Sequence, residues 1–230
     1  MARRFPASFR LASRGVIVAA YRLHCFAQSG NAYKVALMLS ACGLDWEPVL
    51  VRFFDGATRD AVWRQDVNAM GEVPVLEHEG RRLSQSGAIL TYLARRTGQF
   101  AATNEDEELD ILRWILFDNH KFTSYFATHR FMLSLAGKPA DPAVLSFLRG
   151  RVDGALSLVD KHLSQTPFLV AGRPTIADMS IAGYMFYPQT ETGYDIEAGY
   201  PHLHAWRERM AALPGWKAPY DMMPDALPAA

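Results

Sequence analysis

The sequence predicts two unlike halves, a mixed α/β domain over residues 21–98 followed by an all-α helical domain over residues 104–220. Three observations predict this. Short strand-like runs alternate with helical segments as far as Gly98. Strand signals vanish after about residue 104, leaving only helical periodicity. Breakers fall where segments should end, at Gly43, at Gly98 and at Gly137-Lys138-Pro139.

Taken in order, Tyr21–Phe26 (YRLHCF) reads as a strand. Asn31–Cys42 carries Val35, Leu37, Met38, Leu39 and Ala41 and is followed by Gly43, so it reads as a capped helix. Trp46–Phe53 reads as a second strand, and Thr58–Ala69 as a weak helix or irregular segment. Val73–Glu77 and Arg82–Leu83 flank Glu79-Gly80, a hairpin turn signal. Ser84–Thr97 is a helix closed by Gly98. The acids of Glu105–Glu108 suit the first turn of a helix running toward Leu135, because they complement the helix dipole. Pro142–Leu163, Thr175–Tyr187 and His202–Leu213 are further helices.

Composition excludes several function classes. A chain of 230 residues, 50% hydrophobic and 12% aromatic, can bury a core, which argues against disorder. Its 24 basic and 24 acidic side chains lack the basic excess of a nucleic-acid binder. Two cysteines make neither a disulfide framework nor a metal knuckle, so no metal is expected. No apolar run approaches the roughly 18 residues of a membrane span. The expected location is cytoplasmic, with neither nucleic acid nor membrane as a partner.

The neutral total is a sum of unlike parts. The arm 1–20 holds Arg3, Arg4, Arg10 and Arg14 and no acid. Residues 21–100 hold 9 Lys/Arg and 8 Asp/Glu, and the remainder 11 and 16. The Arg- and Ser-containing arm resembles a targeting presequence. Val16–Ala20 is too short for a secretory signal, and Arg3-Arg4 lacks the rest of a twin-arginine pattern. The expectation is a frayed arm or an early start codon.

Three segments carry chemistry. Ser29-Gly30-Asn31 heads the first helix, where free backbone N–H groups gather. Ser29 or Asn31 there is either a plain cap or a donor to an anion or thiolate. Gly71-Glu72-Val73-Pro74-Val75-Leu76 puts a proline at the start of a strand. A cis Val73–Pro74 bond would leave the main chain of Val73 unpaired, a strand edge that suits a peptide-like ligand. Gln85-Ser86 heads the helix after the hairpin and suits a carboxylate, with a simple cap at Ser84 as the competing reading.

The order of these segments, SGNAYKVALML, NAMGEVPVLEHEG and LSQSGAILTYL, resembles the thioredoxin-like domain of cytosolic glutathione transferases. The helical remainder is similar to their C-terminal domain, with Thr175-Ile-Ala-Asp178 matching the family's helix-capping box. The resemblance spans roughly residues 21–217 and implies the glutathione transferase fold. It implies glutathione as co-substrate, its thiolate activated for attack on a small electrophile. Val73 and Pro74 would meet the cysteinyl part, and Gln85 and Ser86 the γ-glutamyl end. Gln85 departs from relatives with glutamate there and brings no charge. Ser29 matches the hydroxyl of serine-type members, and Asn31 an asparagine of bacterial nu-like members.

Tyr21 and Tyr33 do not match the tyrosine of tyrosine-type classes. Ser29 stands where cysteine-type members have their nucleophile, so Cys25 and Cys42 read as packed small hydrophobes. The Ser-Ser-Cys signature of zeta-type isomerases is absent. The second-substrate pocket is expected on the long helix, at Trp114, Phe117 and His120, with Asn119, Phe122, Tyr125 and Phe126 nearby. Arg130 is expected in an interdomain salt bridge. Arg52, Arg59 and Gln65 are candidates for the glycine carboxylate of glutathione. The family implies a homodimer, with Phe53-Phe54 and Trp63 as candidate surface. Two alternatives remain: a glutathione-dependent disulfide or peroxide reductase, and a non-catalytic interaction module of the same fold.

Overall fold

In the computed structural model, which describes residues 19–227, the central strand β1 (Tyr21–Cys25) decides the first half. Its residues Leu23 and Cys25 are fully buried. A strand covered on both faces needs neighbours on both edges and helices on its faces. Helix α1 (Gly30–Ala41) follows, then β2 (Trp46–Leu50), α2 (Ala61–Asp66), the hairpin β3 (Val75–His78) and β4 (Arg81–Ser84), and α3 (Ser86–Thr97). The sheet order is β2-β1-β3-β4. β2 runs parallel to β1, and β3 antiparallel to it. This is the thioredoxin-like arrangement.

Local chemistry explains the boundaries. β2 stops at Leu50, not at Phe53, because the chain turns at Phe53–Gly56, where Gly56 adopts φ 85°. Pro48 is tolerated because β2 is an edge strand. One face of the sheet carries an ion ladder fixed by register. Arg22 stands opposite Glu47 and Glu77, and Glu77 opposite Arg82. The three contacts are each 2.8 Å. Such half-exposed pairs favour the register more than they add stability.

The second half begins with α4 (Glu105–Phe117), capped by the Asn104 side chain accepting from Glu107 N. A π-turn at Asp118–Phe122 leads into α5 (Thr123–Arg130), and a second at Phe131–Leu135 ends it. The long helix toward Leu135 is therefore continuous but twice re-phased. α6 (Pro142–Leu163) follows, then α7 (Ile176–Ile181), whose capping box joins Thr175 and Asp178 as expected. Asp178 is fully buried and also accepts from Leu169 N and Trp206 Nε1 at 3.0 Å. The one-turn helices α8 (Gln189–Thr192) and α9 (Ile196–Gly199) precede α10 (Pro201–Ala211), and α11 (Pro219–Met222) comes last. Most of the predicted arm, residues 1–18, lies outside the described residues.

One hydrophobic cluster runs through both halves, from Leu23 and Leu37 to Met179 and Trp206. Inside it lies a polar bridge. Lys34 of α1 is fully buried, and its Nζ donates to Asp118 Oδ2 at 2.6 Å and to Thr123 Oγ1 at 3.0 Å. Thr123 donates to Asp118 Oδ1 at 2.6 Å, and Ser180 to Asp118 Oδ2 at 2.5 Å. Burial pushes the Lys34 ammonium below its usual range, and Asp118 opposes that shift.

Candidate active site

The N-terminus of α1 opens into a cleft of about 480 Å³ between the two halves, a volume suited to a small ligand. Ser29 is the N-cap of α1. Its Oγ accepts from Ala32 N at 3.2 Å, so its own proton remains available. Asn31 Oδ1 accepts from Ser86 Oγ at 3.4 Å, while Asn31 Nδ2 has no partner among the described residues. Ser29 thus caps the helix while its hydroxyl proton has no acceptor among the described residues, so the cap does not use up its capacity to donate.

Gly30 is required between them by close approach. A Cβ there would sit 2.5 Å from both Gly183 O and Tyr184 Cε2. The helical half therefore presses directly on the first turn of α1.

The loop before Ser29 is held from several sides. Ala27 O accepts from Tyr187 Oη at 2.6 Å, and Gln28 O from Arg130 Nη1 at 2.7 Å. Arg130 is buried, pairs with Glu191 at 2.5 Å and stacks 3.7 Å from the Tyr187 ring. It bridges the two halves through Gln28 O, a neutral carbonyl, while its salt bridge to Glu191 stays within the helical half, so the expected interdomain salt bridge is not what forms. The last described residues also bind this loop: Ala27 N donates to Pro224 O at 2.8 Å, and Gln28 Nε2 to Asp225 Oδ1 at 2.5 Å.

Across the cleft, the Val73–Pro74 bond is cis. The β3 register begins only at Val75, so Val73 stays outside the ladder. Gln85 heads α3 with φ 68°, left-handed for a residue with a side chain, and makes no side-chain cap. Such a conformation costs energy and collects at functional sites. It leaves the first N–H groups of α3 uncapped beside Ser86. Ser29, Asn31, Val73, Pro74, Gln85 and Ser86 all line this one cleft.

Of the expected second-substrate residues, Asn119 lines it too, while Trp114, Phe117 and His120 do not. Trp114 is 3% exposed and packs edge-on against His162 in the helical core. Phe117 packs against Trp114 and Phe122, and His120 is exposed away from the cleft. The wall continues from Asn119 along the stripe Thr123, Ala127, Phe131 and Leu135. These residues are spaced by four, but it is the two π-turns that keep them on one face, and an aromatic count selects a different one. Phe53 and Phe54 line the cleft and pack on Phe26. Gln28 and Tyr184 also line it and were not anticipated. Arg52, Arg59 and Gln65 lie off the wall, and Arg52 faces Asp55 at 3.7 Å.

Neither cysteine nor Tyr33 is available as a nucleophile. Cys25 is fully buried, and burial pushes its thiol up to about 12. Burial also raises Cys42. Tyr33 donates to Lys217 O at 2.9 Å inside the core. Among the described residues no cluster of three or more His, Cys, Asp or Glu could hold a metal ion, and no helix is long and apolar enough to cross a membrane.

Comparison with known proteins agrees with this architecture. The sequence profile "Glutathione S-transferase, N-terminal domain" matches residues 21–95, and "Glutathione S-transferase, C-terminal domain" matches residues 140–209. A glutathione S-transferase structure from Pseudomonas fluorescens is 32% identical, with TM-score 0.81 over 88% of this chain and 100% of its own. One from Xanthobacter autotrophicus is 32% identical, with TM-score 0.79 over 87% of this chain and 97% of its own. Glutathione S-transferase 3 of Zea mays is 27% identical over 212 residues, 87% of this chain and 93% of that protein. With profile, sequence and structure in agreement over nearly the whole described chain, the protein belongs to the glutathione S-transferase family.

Proposed function

We propose that the protein transfers glutathione to a small electrophile, and that Ser29, Asn31 and the N-terminus of α1 activate the thiol. The single observation behind this reading is Ser29 Oγ at the helix cap, with its acceptor role filled by Ala32 N and its proton free. A glutathione thiol beside it would receive that proton as a hydrogen bond, with Asn31 Nδ2 as a second donor. Lowering a thiol pKa from about 8.5 to about 6.5 takes roughly 2.7 kcal/mol. One hydrogen bond to a charged group contributes about 1.5–3 kcal/mol and the helix end about 0.3–1 kcal/mol, so the set suffices.

The cysteinyl backbone would pair with Val73 at the strand edge, and the γ-glutamyl carboxylate with Ser86 and the N-terminus of α3. The aromatic wall of Phe53, Phe54 and Phe131 suits an apolar electrophile. This assignment is that of a serine-type or nu-like member. It further implies a homodimer in the cytoplasm, where glutathione is kept reduced.

Ser29→Ala is the direct test, assayed with glutathione and a chlorodinitrobenzene electrophile. The expected result is a kcat lowered about 10- to 100-fold, with the KM for glutathione changed less than about threefold. An unchanged kcat would refute Ser29 as the thiolate donor and move the role to Asn31. A rate with disulfides exceeding that with every electrophile would instead favour the reductase reading.

A further inference from the structure

A γ-glutamyl group carries an ammonium and a carboxylate on one carbon. A site that binds the carboxylate at Ser86 must therefore offer the ammonium a partner within a few ångströms. Gln85 brings only a neutral amide. Glu72 is the only carboxylate among the described residues lining the cleft. Its Oε2 accepts from Gln85 Nε2 at 2.7 Å, which puts a full negative charge beside the head of α3. Gln85 Oε1 has no partner among the described residues. The position of Glu72 is fixed through its backbone. Asn68, 9% exposed, donates from Nδ2 to Glu72 O at 2.8 Å and accepts from Met70 N at 3.2 Å.

We propose that Glu72 is the charged partner of the γ-glutamyl ammonium, with Gln85 Oε1 as the neutral second acceptor. The proposal rests on the assignment of the γ-glutamyl end to Ser86. The carboxylate stands on the loop before the cis proline instead of at the head of α3, on the same wall of the cleft, and Gln85 links the two positions. Ligand specificity follows. The site selects a free α-amino group, so glutathione is preferred to the same tripeptide without it.

The test measures calorimetric affinities of glutathione and its deaminated analogue, glutaryl-cysteinylglycine. Wild type, E72Q, the double variant E72Q/Q85E and S86A are compared. Glu72 is exposed, so E72Q is expected to fold normally. Wild type should prefer glutathione about tenfold. E72Q should lose the preference by weakening glutathione while leaving the analogue unchanged, and E72Q/Q85E should restore it. A preference retained in E72Q overturns the proposal, as does an equal loss for both ligands. No preference in wild type overturns it as well. Unchanged affinity of S86A for both ligands would mark a separate failure, that of the underlying γ-glutamyl assignment.

Discussion

Asp118→Asn is expected to lower folding stability by about 3–5 kcal/mol, measured by urea denaturation at neutral pH. The pair it breaks is sealed: Lys34 and Asp118 are both fully buried, with Thr123 and Ser180 completing the hydrogen bonds. Neutralising Asp118 leaves an ammonium in an apolar interface with no counter-charge. The Lys34 pKa, already depressed by burial, loses the group that opposes the shift and should fall further. Replacing both partners, Lys34→Met with Asp118→Leu, should cost much less than Asp118→Asn, because no charge remains to be desolvated. A loss below about 1 kcal/mol for Asp118→Asn would show that the pair behaves like an exposed one.

Gly30→Ala is expected to cost about 2–3 kcal/mol and to lower kcat with glutathione by at least tenfold. The new methyl would lie 2.5 Å from the backbone oxygen of Gly183, which cannot rotate away, and 2.5 Å from the Tyr184 ring. Relief requires the first turn of α1 to move, and Ser29 and Asn31 move with it. The contact is reciprocal: a Cβ on Gly183 would meet Lys34 Cε at 2.5 Å and Gly30 O at 3.0 Å. Gly150, within α6 with nothing inside 4 Å of its would-be Cβ, is the internal control. Gly150→Ala should stabilise the protein by about 0.5–1 kcal/mol, the ordinary helix preference. Thermal melts and steady-state rates of the two variants check both statements.

Local signals were readable in the sequence where one residue sets one backbone feature. Gly98 closes α3 at φ 70°, Glu79-Gly80 turns the hairpin, and Thr175 and Asp178 form their box. Ser29 at the head of α1 is of this kind. Long-range features were not readable. Lys34 and Asp118 are 84 residues apart, and nothing local pairs them. The face that α4 and α5 turn to the cleft depends on the π-turn at Asp118–Phe122, which re-phases the helix between Trp114 and Thr123. Apolar character alone does not separate a core Trp114 from a cleft-lining Phe131. The one-turn helices α8, α9 and α11 are too short for any periodicity. The positive φ of Gln85 also lacks a sequence mark, since glutamine gives no warning of it.

Thiol activation is the claim on which the functional reading depends. It is measured most directly by titrating the ultraviolet thiolate absorbance of the glutathione complex, in wild type and in Ser29→Ala. The predicted result is a thiol pKa near about 6.5 in wild type, rising toward about 8.5 in the variant. A wild-type complex whose bound thiol still titrates near about 8.5 would contradict the account.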